Sequence, residues 1–135
     1  MHRVYRIFFR LKKKPYNIRR KRRVSKNYLE NKNKALEIVK ERIEYLNAFY
    51  NYKWNKISVK NQKTRWGSCS RRGNLNFNYK IALLPQKSSD YIIVHELCHL
   101  GEFNHSQKFW DLVAKTVPDY KEARRDLRKN GLMLD

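Results

Sequence analysis

Residues 95–105, HELCHLGEFNH, hold His95, Glu96, His99 and His105 in a chain with only 4 histidines. On a helix, His95 and His99 stand one turn apart on the same face, so two imidazoles can meet one metal ion. Glu96 sits beside them, placed to take a proton from a water that such a metal activates. These residue types at this spacing read as a small metal-dependent hydrolase.

A third ligand has two candidates. Glu102 shares the face of His95, but seven residues of straight helix separate the two by about 10 Å along the axis. Metal–ligand bonds of about 2 Å close such a site only with strain. Gly101 allows the helix to end, and Phe103–Asn104 can then turn His105 back towards the first two histidines. His105 is therefore the expected third ligand. Three neutral imidazoles leave a fourth tetrahedral position for water, as in a catalytic zinc site, with one Zn2+ per chain as cofactor. A closed structural site would recruit a further Cys or His, and Cys98 reads better as a small packing residue. Three histidines that bind no metal are the plainer alternative.

The elements that must position these residues follow from periodicity. Leu36, Val39, Ile43, Leu46 and Phe49 form an apolar stripe over about Asn33–Tyr50, which predicts an amphipathic helix. Alternation over Lys56–Lys60, Thr64–Ser70 and Leu75–Tyr79, with turn chemistry at Arg71–Asn74, predicts strands of a small antiparallel sheet. An apolar run, Ile81–Leu84, closes at Pro85. The next helix is expected over about Asp90–Gly101, capped by Ser88 or Ser89. Ile93, Leu97 and Leu100 would face the sheet, while Tyr91, His95 and His99 face a cleft. Ser106 should cap a helix to Val117 whose buried face is Phe109, Trp110 and Val113. Asp119 opens a last helix that stops near Gly131. The expected fold class is α+β, with a small antiparallel or mixed sheet packed on an active-site helix and flanking helices.

With 135 residues, the chain suits one domain. The expected division is a basic N-terminal arm over 1–30 and the chemical domain over 31–135. The first 29 residues contain no acid and carry 12 Lys or Arg. Val4, Ile7, Phe9 and Leu11 alternate imperfectly there, a weak strand signal. A net charge of +20, from 32 basic against 12 acidic residues, implies an anionic partner. Nucleic acid, the ribosome, a nucleotide or an acidic protein would serve; Lys- and Asn-rich composition alone is the bland reading. No apolar run approaches a membrane span of about 18 residues. The cysteines, Cys69 and Cys98, form no disulfide framework, which fits a reducing, cytoplasmic setting.

Arg65–Cys69 (RWGSC), Gly73–Asn78 (GNLNFN), Tyr91–Leu100 (YIIVHELCHL), Asn104–Ser106 with Phe109–Trp110, and Pro118–Tyr120 resemble the YgjP-like metallopeptidase domain. The similarity runs from about Ala35 to Leu127. It implies a zincin-like fold with zinc on His95, His99 and His105 and Glu96 as catalytic acid/base. The SprT-like proteases, which act on proteins bound to DNA, resemble the chain more distantly. Members of the YgjP-like family usually carry a longer β-rich N-terminal region where this chain has a short basic arm. Metzincins place glycine three residues before the third histidine. Here that position is Glu102, and no methionine suits their Met-turn.

Five other residues are candidates for the site. Arg65 and Trp66 belong to the strand expected to flank it, where Arg65 could orient a carbonyl or phosphate. Tyr91 could donate to an oxyanion. Glu102 and Asn104 could orient the ligating imidazoles, which usually donate their second N–H to an oxygen. For each, ordinary surface or packing roles are the simpler reading. The leading functional expectation is a zinc-dependent peptidase acting on peptide or protein. The alternatives are a metal-dependent nucleotide or phosphoanhydride hydrolase, and a basic nucleic-acid or ribosome-binding module with a structural metal. Oligomeric state is not legible from the chain.

Overall fold

A computed structural model of the protein describes residues 23–129, together with 132 and 134. In chain order the elements are α1 (Lys26–Asn47), β1 (Lys56–Lys60), β2 (Gly67–Cys69), β3 (Asn74–Asn78), a 3₁₀ turn (Tyr79–Leu83), α2 (Gln86–Cys98), α3 (Gln107–Ala114) and α4 (Tyr120–Arg128). The class is α+β, as the periodicity predicts. The strand expected around Val4–Leu11 lies outside the described residues. Among those described, no helix is long and apolar enough to cross a membrane.

α1 starts seven residues before the expected Asn33, because Ser25 accepts a hydrogen bond from the Tyr28 amide at 3.2 Å. Its stripe buries Ala35, Val39, Ile43 and Leu46, but Phe49 is exposed because the helix has already ended at Asn47. Asn51 takes a left-handed φ of 57°, which Asn tolerates better than most residues. The Asn47 side chain then clamps Tyr52 with two 2.9 Å hydrogen bonds, one to its N–H and one to its carbonyl.

The sheet has strand order β1-β3-β2 and is mixed, one of the two forms expected. β1 runs parallel to β3, with Val59 opposite Phe77, and β2 runs antiparallel to it, with Gly67 opposite Phe77. The expected β2–β3 turn is present, and Gly73 supplies its positive φ of 79°. Ile57, Val59, Leu75 and Phe77 point into the core, leaving Lys56, Ser58, Lys60, Asn74, Asn76 and the covered Asn78 on the other face. β2 is shorter than the expected Thr64–Ser70 strand, and Tyr79 opens the 3₁₀ turn instead of continuing β3.

α2 is the axis of the molecule. It begins four residues earlier than expected, at Gln86, with Pro85 at the N-cap, and neither serine caps it. Ser89 Oγ instead donates to the Gln86 carbonyl at 3.0 Å. Every residue from Tyr91 to Cys98 is buried, so the division into a sheet face and a cleft face does not hold. A helix apolar around its circumference must be covered on all sides; α1, β2, α3 and α4 cover this one. Arg42 on α1 grips Asp90 on α2 through two 2.8 Å hydrogen bonds, which raise the guanidinium pKa further. α3 ends at Ala114, short of Val117, and α4 ends at Arg128, before the expected Gly131, which is not described.

Candidate active site

The break after α2 builds the site. His99 is the C-cap residue, and the Glu102 amide bonds the Cys98 carbonyl at 2.9 Å, turning the chain away from the helix axis. Gly101 leaves room here for the Tyr52 ring. A Cβ at that position would collide with the Tyr52 hydroxyl and lie 2.8 Å from its Cζ. The chain returns just ahead of α3, where Ser106 Oγ accepts from the Phe109 amide as the sequence predicts, and brings His105 against α2.

His95 Nε2 lies 3.2 Å from His99 Nε2 and 3.2 Å from His105 Nε2, and the last pair are 3.1 Å apart. Three ligands each about 2.0–2.1 Å from one tetrahedral ion stand about 3.3–3.4 Å apart. The three nitrogens therefore fit one small metal ion. The donor chemistry fits too. His99 Nδ1 lies 3.1 Å from the Glu102 carbonyl oxygen, which can only accept. Nδ1 must carry the proton, and the Nε2 lone pair is left for a metal. Glu102 thus meets the cluster through its backbone; His95, His99 and His105 form the group that could hold a metal, without its carboxylate.

Aromatic rings fix the imidazoles. Phe109 stacks on His99 at 4.5 Å between centroids, and Trp110 stacks on His105 at 5.8 Å. Tyr120 backs Trp110 at 4.9 Å and 15°, and the Arg124 guanidinium lies 5.3 Å from the same indole. In the sequence, the spacing of Phe109 and Trp110 marks them as core residues only. Their bracing role depends on contacts between α3 and the turn before it, which periodicity does not reveal. His95 and His99 are 2% and 4% exposed, whereas His105 is exposed, so the site opens on the His105 side.

Glu96 is fully buried one residue from His95, and β2 is its wall. A Cβ on Gly67 would lie 2.9 Å from Glu96 Oε1 and 3.0 Å from its Cγ. Only glycine leaves that carboxylate its place. Asn78 holds the wall in position: its amide donates to the Gln62 and Arg65 carbonyls at 2.8 and 3.0 Å, and its backbone N–H bonds the Trp66 carbonyl at 2.8 Å. Gly67 and Asn78 fall within the quoted motifs, but no local pattern marks their function.

The other expected residues divide. Trp66 is a core residue, 3% exposed, and Arg65 is exposed beside it. Tyr91 is buried edge-on to His95, with ring centroids 5.9 Å apart, and its hydroxyl has no hydrogen-bond partner among the described residues. Burial pushes that phenol up to about 12. It lies in the core instead of an open cleft. Asn104 is exposed in the turn before His105. Cys98 packs towards Tyr50, away from the histidine cluster, and burial pushes its thiol up to about 12 against the pull of Tyr50 and Lys115. Full burial makes it a packing residue, as expected.

The family model described as YgjP-like, metallopeptidase domain, matches residues 8–130. The chain belongs to the YgjP-like metallopeptidase domain family. The match extends beyond both ends of the Ala35–Leu127 resemblance. Among solved structures, the YgjP-like chain is similar to the metallopeptidase zymogen of Pyrococcus abyssi abylysin. That match has TM-score 0.63 and 23% identity, over 68% of this chain and 93% of that one. It is also similar to the metallopeptidase zymogen of Methanocaldococcus jannaschii jannalysin, with TM-score 0.56 and 25% identity, over 71% and 95%. No curated protein matches the chain significantly.

Proposed function

We propose that the chain is a zinc-dependent peptidase, with His95, His99 and His105 as metal ligands and Glu96 as general base. The observation that carries this reading is the convergence of three Nε2 atoms to within 3.1–3.2 Å of one another. A bound zinc would polarise a substrate carbonyl and lower the pKa of a water near it. The protein's own contribution is positional. The Glu102 carbonyl holds the His99 tautomer, Phe109 and Trp110 hold two ring planes, and Gly67 gives Glu96 the room to receive a proton. The exposed His105 side is where an extended peptide can approach. Support for a peptide or protein substrate comes from family membership and from the two solved neighbours, both described as metallopeptidase zymogens.

Zinc content and turnover test the ligand set and the substrate class together. His105→Ala should lose zinc while Glu102→Ala keeps it, since the latter leaves the backbone carbonyl in place. Unfolded protein should be cleaved, and nucleoside triphosphates left intact, in a side-by-side assay. Triphosphate hydrolysis without peptide cleavage would move the reaction to the phosphoanhydride class.

A further inference from the structure

The charge of the chain is segregated. No Asp or Glu occurs between Glu44 and Asp90, a stretch that contains the entire sheet. The acids from Glu30 to Asp126 belong to the helices and their ends, with Glu102 in the turn after α2. A compositional surplus of lysine would not sort itself by layer.

The outward positions of the strands are Lys56, Ser58 and Lys60 on β1, Ser68 on β2, and Asn74, Asn76 and Asn78 on β3, the last buried under the 62–65 segment whose carbonyls it bonds. Their short side chains bond sideways across the sheet. Asn76 Nδ2 donates to Ser68 Oγ at 3.3 Å, and Asn55 Nδ2 to Asn74 Oδ1 at 2.7 Å. The face is therefore low and polar, with exposed cations at both ends. Lys56 and the turn residue Arg72 stand at one end, Lys60 and Lys63 at the other, about 13 Å away along the strand. Arg71 of the same turn lies 5.7 Å over the Phe103 ring, tying this end to the loop that carries His105.

We propose that this outer sheet face binds nucleic acid through its phosphates. The chemistry selects the partner. A protein interface needs an apolar centre, and a membrane-surface site needs apolar or aromatic residues to insert. Neither is available among the outward strand positions. Phosphodiesters need only cations and hydrogen-bond donors. With no aromatic among the outward strand positions to stack on bases, binding is independent of sequence. The inference stands apart from the peptidase reading, and it locates the anionic partner on the sheet, whereas the sequence pointed to the N-terminal arm.

The test is fluorescence anisotropy of the full zinc-loaded chain with labelled 20-base-pair DNA duplexes of two unrelated sequences, from 50 to 300 mM salt. The triple variant Lys56→Gln, Lys60→Gln, Arg72→Gln should flatten the plot of log affinity against log salt by about 2–3 units. The matched variant Lys32→Gln, Lys34→Gln, Lys40→Gln, of equal charge change on α1, should leave that slope unchanged. Melting temperature and zinc content report whether each variant folds; Lys60→Gln alone, with an expected change of about 0.9, serves if the triple does not. Equal slope changes in the two triples, or none in the sheet variant, would overturn the proposal. So would poly-L-glutamate or phosphatidylserine vesicles binding as tightly as DNA with the same dependence on Lys56, Lys60 and Arg72.

Discussion

Gly67 and Glu96 occupy one small volume, and the side chain that glycine lacks is what the carboxylate uses. Gly67→Ala should leave zinc content unchanged and lower kcat about a hundredfold, the scale expected when a catalytic group is displaced by about 1 Å. A variant with normal kcat would show that the wall does not position Glu96. Trp110 acts on a different residue. Trp110→Ala removes the ring stacked between His105 and Tyr120, and zinc affinity should fall about tenfold or more, with Trp110→Phe retaining most of it. Competition with a chromophoric chelator measures both. At this scale the convergence of His95, His99 and His105 was legible, because the three lie within one turn of helix and its exit. What supports them comes from β2, α3 and α4, and such tertiary contacts leave no spacing to read.

At the scale of elements, the connection between β1 and β2 decides the geometry of the site. Asn78 is fully buried and satisfies two carbonyls of that connection together with the Lys80 amide. Asn78→Ala strands those groups and should destabilise the fold by about 2–4 kcal/mol in urea titration. A loss below about 1 kcal/mol would mean that the loop holds itself. Strand positions were legible because alternation over Lys56–Lys60 and Leu75–Phe77 is clear. The parallel pairing of β1 with β3 was not, since it depends on where a non-local crossover lands. The start of α2 was not legible, because Pro85 fixes the boundary without a side-chain cap. Its two expected faces merged because Ile92, Ile93 and Val94 need cover on every side.

The whole molecule carries +20 charges on 135 residues. Self-repulsion of that size opposes folding, and salt screens it. The melting temperature should rise by roughly 4 °C between 20 and 500 mM salt, while any association through phosphates weakens over the same range. A melting temperature that falls with salt would show that attractive pairs, such as Arg42–Asp90, outweigh the repulsion.

The proposed peptidase reaction rests on the Glu96 carboxylate beside three converging histidines. Peptide turnover by Glu96→Gln, measured on protein shown to hold one zinc per chain, addresses it most directly. The predicted result is full zinc occupancy with turnover reduced about 10²–10⁴-fold. Activity within a factor of two of the parent, with zinc still bound, would contradict it.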